Sequence, residues 1–198
     1  MSAILERLAK IKNELDARRY SWLMLSCLSE EEINKFEQSY GVDLPDEYRF
    51  FLLTVGDGGP GPFYGIYPLN VAISSDPTPY KRHLGDDIGE MVSPMILRTA
   101  FPSNPEAKSA RDKIVFDAVP GTLALAHYGC AAIERLVISG EAAGSMWHDY
   151  SSEGNGIHDR GETFLDWYEK WLNGNYPTMW KLNDFMTKEF RENEWMRH

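Results

Sequence analysis

The amino-acid sequence predicts a single α+β domain in which N-terminal and C-terminal helices flank a mixed, mainly antiparallel sheet. Segments with helical hydrophobic periodicity precede residue 56 and follow residue 163, whereas three strand-like runs lie between residues 122 and 150. The 198-residue length fits one domain better than two, and a composition of 43% hydrophobic and 25% charged residues is typical of packed globular proteins.

Three helices are predicted before residue 56. The first has one apolar face, formed by Ile4, Leu8, Ile11 and Leu15. The second begins at a capping box of Ser29 and Glu32 and ends at Gly41, because glycine readily adopts the left-handed conformation that stops a helix. The third begins at Pro45 and ends at the glycine-rich turn of residues 56–62.

The middle of the chain carries the strand signals. Residues 63–67 read as a short aromatic strand, and residues 70–113 as a loop with short embedded helices, since prolines interrupt every periodic segment. Residues 122–128, 131–138 and 145–150 have the pattern of an antiparallel meander, because glycines separate the three runs.

Two helical segments are predicted near the C-terminus. The first, over residues 164–172, carries an aromatic face that we assign to the core, and it stops at Asn173-Gly174. The second has one apolar face, formed by Met179, Leu182, Phe185 and Met186.

The chain is acidic. Its 30 acidic and 20 basic residues give a formal net charge of −10, which argues against a protein that holds nucleic-acid phosphates or anionic lipid. Nine acidic residues but only two basic ones lie between Ile114 and Glu169. If these acids converge on one face, that face would attract a basic partner.

Neither a metal site nor a catalytic centre is predicted. The two cysteines, Cys27 and Cys130, stand far apart and favour a reducing compartment. The histidines tested as ligands lack the HxxxH spacing of zinc sites: His83, His127, His148 and His158. A Cys130–His127–Asp149 arrangement is conceivable, but no motif fixes its geometry. We therefore predict a protein that is not an enzyme and has no cofactor.

No membrane segment is predicted either. The longest uninterrupted apolar run is four residues, and Glu6, Arg7 and Lys10 stand where a signal peptide would need its apolar core. We predict a cytoplasmic protein that does not bind membranes.

Several short motifs, in order, resemble the SUKH superfamily, the Smi/Knr-type family of bacterial toxin-immunity proteins and fungal cell-wall synthesis regulators. In the first half they are Ile33-Asn-Lys-Phe36-Glu37, Tyr40-Gly41, Leu44-Pro45-Asp-Glu-Tyr48 and Tyr64-Gly-Ile-Tyr-Pro-Leu69. In the second half they are residues 121–130, 136–140, 144–149 and 164–172. On this resemblance we divide the chain into a SUKH-like domain (29–173, with an insertion at 70–113), an N-terminal helical extension (1–28) and a C-terminal helical extension packed on the same domain (174–198).

The resemblance implies an α+β immunity protein that binds and blocks a cognate polymorphic toxin, often a nuclease or deaminase, without a catalytic set of its own. Charge and expected exposure suggest the partner-binding residues Glu134, Asp149, Glu153 and Asp159, with the aromatic residues Trp147 and Tyr64. Two alternatives remain open. One is a regulatory scaffold, and the other is a small-molecule binder or hydrolase with a cleft near Tyr64, His127 and Trp147.

Overall fold

Helices surround an antiparallel sheet in the computed structural model, which describes residues 1–74, 91–102, 119–129 and 132–180. The helices are α1 (Ser2–Ala17), α2 (Glu30–Tyr40), α3 (Asp46–Thr54), α4 (Leu69–Ala72), α5 (Pro94–Arg98) and α6 (Phe164–Leu172). The strands are β1 (Thr122–Gly129), β2 (Ala132–Val137), β3 (Ser145–Asp149) and β4 (Ile157–Thr163). Short 3-10 helices occupy Ser21–Leu23 and Ser151–Glu153. The α+β class is confirmed.

The N-terminal helices follow the sequence signals. In α1, Leu8, Ile11 and Leu15 are buried, as the periodicity predicts. The Ser29 hydroxyl accepts a hydrogen bond from the Glu32 backbone N–H (3.2 Å), and the Glu32 carboxylate accepts one from the Ser29 N–H (2.7 Å), which confirms the capping box. Gly41 ends α2 in the left-handed region, at φ 64°.

The sheet has the order β1-β2-β3-β4 and every neighbouring pair is antiparallel. The described strands agree with the predicted mainly antiparallel sheet, and all of their pairings are antiparallel. A fourth strand, β4, was not predicted, because its Ile157-His-Asp-Arg-Gly-Glu-Thr163 sequence shows no apolar alternation. Residues 63–67 form isolated bridges instead of the predicted strand, including one from Ile66 to Ala126 on β1.

The two faces of the sheet have different neighbours. Residues that pair directly across antiparallel strands project from the same face. One face carries Leu123, Leu136 and Met146, which belong to the main hydrophobic core together with the apolar residues of α6. The opposite face carries a row of four directly paired residues, one from each strand: Ala124, Arg135, Trp147 and Asp159.

Helix α1 packs against α3 and α6. Its Arg7 guanidinium forms ion pairs with Glu47 (3.2 Å), Asp166 (2.7 Å) and Glu169 (2.9 Å). The N-terminal extension is thus fixed to the domain by both core packing and charge.

Two predicted regions lie partly outside the described residues. Short helices do occur in the described part of the 70–113 segment, where α5 is found. Most of the predicted C-terminal helix around Met179–Met186 falls outside the described residues, and the domain boundaries remain predictions.

Candidate partner-binding surface

Two of the four acidic residues expected to bind the partner are buried. Glu134 is 0% exposed and Asp149 is 6% exposed. Each carboxylate is paired with an arginine within the protein, so neither is available at the surface. The expectation of exposure was wrong for these two residues. Arg135 on the adjacent strand β2 pairs with Asp149, and Arg160 on β4, two strands away from β2, pairs with Glu134.

Glu134 lies in an ionic network on the core-facing side of the sheet. Its carboxylate accepts hydrogen bonds from both Nε and Nη2 of Arg160, the latter at 2.6 Å. It also contacts Nδ1 of His148, the residue directly opposite on β3. The Arg160 guanidinium lies 5.0 Å from the ring centroid of Tyr176. Loss of the arginine would leave this buried carboxylate without a balancing charge, and an uncompensated buried charge strongly destabilises the folded state.

Asp149 forms the second buried pair, on the opposite face. Its Oδ2 accepts a hydrogen bond from Nε of Arg135 at 2.6 Å, and its Oδ1 accepts one from the Ser151 backbone N–H at 2.9 Å. Burial by itself would raise the pKa of Asp149, but the Arg135 charge and the Ser151 hydrogen bonds outweigh it and hold this pKa below its usual value.

The structure separates Tyr64 from the other candidates. The Tyr64 backbone N–H donates to the carbonyl of His127 on β1, and the two rings lie 5.4 Å apart. Since β1 and β4 are opposite edges of the sheet, Tyr64 does not share a surface with Asp159. Glu153 is exposed, in the turn that joins β3 to β4.

Trp147 and Asp159 are brought together by the β3–β4 register. The Trp147 indole is partly exposed, and its Nε1–H donates to the Ser145 hydroxyl at 2.8 Å. Asp159 is exposed, and its Oδ1 accepts a hydrogen bond from the Gly161 N–H at 2.8 Å. Gly161 occupies an irregularity in β4 at φ 64°, which suits glycine.

Asp159 also lines an open groove of about 670 Å³, which we call the acidic groove. Its walls come from the N-terminal end of α3, the turn between β2 and β3, and the junction of β4 with α6. Its acidic lining residues among those the structure describes are the seven Asp43, Asp46, Glu47, Glu141, Asp159, Glu162 and Asp166, and no described lysine or arginine lines it.

Three of these seven carboxylates are neutralised from outside the groove. Arg7 pairs with Glu47 and Asp166, and Lys170 pairs with Glu162 at 2.8 Å. Burial tends to raise the pKa of Asp166, but the Thr163 N–H and Arg7 outweigh it and lower this pKa. Within the described ranges, the remaining four carboxylates form no ion pair: Asp43, Asp46, Glu141 and Asp159.

Sequence reasoning found only part of this groove. Glu141, Asp159, Glu162 and Asp166 belong to the acidic segment between residues 114 and 169. Asp43, Asp46 and Glu47 come from a distant helix start, and the sequence near them contains no signal that relates them to β4. The three-dimensional fold creates this cluster.

In the described part of the chain, no group of three or more histidine, cysteine, aspartate or glutamate side chains is arranged to hold a metal ion. No helix there has both the length and the apolar character needed to cross a bilayer.

Comparison with known proteins identifies the family of the chain. A model of the SMI1 / KNR4 family (SUKH-1) matches residues 27–170, well over half of the chain and in agreement with the motif resemblance. Neither the curated proteins nor the solved structures contain a match. The matched residues include the whole sheet and every wall of the acidic groove, whereas α1 lies outside them.

Proposed function

The chain belongs to the SMI1 / KNR4 family (SUKH-1), and on that premise we propose that it is an immunity protein that neutralises a basic toxin domain by binding it stoichiometrically. Family membership supports a role in immunity or regulation through protein–protein interaction. The identity of the partner as a toxin, and its docking on the acidic groove, are parts of our proposal.

The observation that carries the proposal is the set of four carboxylates in the acidic groove without an ion-pair partner in the described structure: Asp43, Asp46, Glu141 and Asp159. Concentrated negative charge on one surface accelerates association with a positively charged protein and discriminates against acidic ones. The partly exposed Trp147 adjoins this charge, and tryptophan is among the residues that contribute most to binding energy at interfaces.

The proposed mechanism is occlusion. A nuclease or a nucleic-acid deaminase holds phosphates with lysine and arginine side chains. If those side chains bind the carboxylates of the acidic groove, the nucleic acid is excluded from the toxin. This mechanism requires no catalytic group and no cofactor from the immunity protein.

The buried acids have a different part in the proposal. Glu134 joins β2 to β4 through Arg160, and Asp149 joins β3 to β2 through Arg135, so in this proposal they position the sheet and do not touch the partner. Glu153 lies in the β3–β4 turn, at the opposite end of that hairpin from the Ser145–Thr163 pair beside the groove. A contact there would belong to a second, separate part of the interface.

The test is a paired affinity capture from cells of the native host and from neighbouring strains. The baits are the wild-type chain, a groove variant (Asp43→Asn, Asp46→Asn, Glu141→Gln and Asp159→Asn) and the matched exposed control Glu31→Gln. We expect wild type and control to retain one basic polypeptide at near-equal stoichiometry, released by salt, and the groove variant to lose it.

Two other outcomes would contradict the proposal. Equal retention by the groove variant would place the interface elsewhere. Retention of several endogenous regulatory proteins, with no toxin activity in any of them, would favour the regulatory scaffold.

A further inference from the structure

Trp147 lies between Arg135, which is ion-paired, and Asp159, which forms no ion pair with any described residue. Its directly paired neighbours are Arg135 on β2 and Asp159 on β4, and all three side chains project from the same face of the sheet. The charge of Arg135 is already balanced, since its Nε donates to Asp149 at 2.6 Å. In the described part of the chain, Asp159 has no cationic partner of its own.

The Asp159 carboxylate is held in place before any partner arrives. Its Oδ1 accepts the Gly161 N–H at 2.8 Å, which leaves Oδ2 for another donor. The Trp147 indole is also fixed, because its Nε1–H donates to Ser145 at 2.8 Å and its ring packs edge-to-face against Phe101 with 4.8 Å between centroids. Fixed groups lose little conformational entropy on binding.

We propose that the Trp147–Asp159 pair is the seat for an arginine side chain of the protein partner, an inference that rests on the proposed function. A guanidinium is planar and weakly hydrated, so it can lie against an indole while it donates hydrogen bonds to an adjacent carboxylate. Lysine offers a compact, strongly hydrated charge and cannot form both contacts equally well. The seat therefore selects arginine over lysine.

The probes for this proposal are two capped peptides with the same glycine–serine spacer, one with three arginines and one with three lysines. Binding to the full chain is followed by ¹H–¹⁵N NMR, and the Trp147 indole signal is assigned with Trp147→Phe. Both peptides should shift the backbone amides of Asp43, Asp46 and Glu141, because both are cationic. The arginine peptide should bind about threefold more tightly, the ratio expected for one exposed cation–π contact, and should move the Trp147 signal more.

Asp159→Asn should abolish the preference for the arginine peptide. The control variant Glu31→Gln should keep the wild-type preference. Asp159 is exposed, so the variant is expected to fold. Equal binding of the two peptides, or a preference that survives Asp159→Asn, would overturn the arginine seat while leaving the acidic groove intact. Failure of both peptides to shift the groove amides would overturn the groove proposal as well.

Discussion

Trp147 on β3 lies directly opposite Asp159 on β4, so an aromatic side chain meets, on one face of the sheet, a carboxylate that forms no ion pair with any described residue. The pair adjoins the acidic groove through Asp159 and Ser145, which both line it. This arrangement combines the two properties expected of a surface that binds a basic protein: charge that steers the approach and an aromatic group that adds contact energy.

Glu134→Gln should destabilise the fold. The substitution removes the charge that balances Arg160 and contacts His148, in a position that is 0% exposed. Removal of one member of a buried ion pair costs about 3–5 kcal/mol. Urea unfolding of the variant measures the loss. The exposed control Glu153→Gln should change the free energy of unfolding by less than about 0.5 kcal/mol, and an equally small change for Glu134→Gln would show that the buried network contributes little.

Asp57→Asn should stabilise the protein more at alkaline than at acidic pH. Burial raises the pKa of Asp57 to about 7, although its Oδ1 accepts the Leu69 N–H. In the unfolded chain this pKa is about 3.9, so between these values the unfolded state has lost a proton that the folded state retains. The free energy of unfolding of the wild type therefore falls as the pH rises through this window. The asparagine variant does not show this fall, because asparagine does not titrate.

Thermal unfolding of wild type and Asp57→Asn at about pH 5 and about pH 8 provides the test. The difference in free energy of unfolding between the variant and wild type should shift in favour of the variant by about 2–3 kcal/mol from the lower to the higher pH. Asparagine keeps the oxygen that accepts the Leu69 N–H. A stability difference between the two proteins that does not change with pH would mean that Asp57 titrates normally.

Leu8→Ala should show that α1 is part of the folded core although it lies outside the family match. Leu8 is 2% exposed, and truncation of a buried leucine costs about 2–5 kcal/mol. Leu5, on the same helix, is 43% exposed, so Leu5→Ala is the matched control and should cost far less. Similar unfolding midpoints for the two variants would indicate that α1 is dispensable.

Arg7→Gln should strengthen the binding of a basic peptide. Arg7 neutralises Glu47 and Asp166, which line the acidic groove, so its removal makes the groove more negative. At low ionic strength we expect the lysine peptide described above to bind about two- to threefold more tightly. Lys10→Gln removes the same charge from an exposed position of α1 and should have less effect. Weaker peptide binding to Arg7→Gln would show that Arg7 serves the groove by positioning it.

The parts of the fold that the sequence predicted are those encoded by local patterns. The apolar face of α1, the Ser29 capping box and the aromatic face of α6 each lie within a few turns of one helix. Strand β4 escaped prediction because it is polar and irregular around Gly161. The register of β4 is set by its pairing with β3 and is not encoded in the sequence of β4 itself.

The candidate site was predicted less well than the fold, for a physical reason. Acidic residues look alike in sequence, whether an arginine buries them or water surrounds them. Glu134 meets Arg160 only because β2, β3 and β4 pair in a particular register, and Asp43 lines the same groove as Asp159 only because the fold brings the segment before α3 to that groove. The sequence therefore shows the excess of acidic residues, but it does not show which of them are buried and which lie at the surface.

The most direct test of the acidic groove as a docking surface is a calorimetric titration of the captured partner with wild type and with the groove variant, at low and at high salt. We predict one-to-one binding by wild type that weakens steeply with salt, and a groove variant that binds at least about tenfold more weakly at low salt with a much shallower salt dependence. Equal affinity and equal salt dependence for the two proteins would contradict the account.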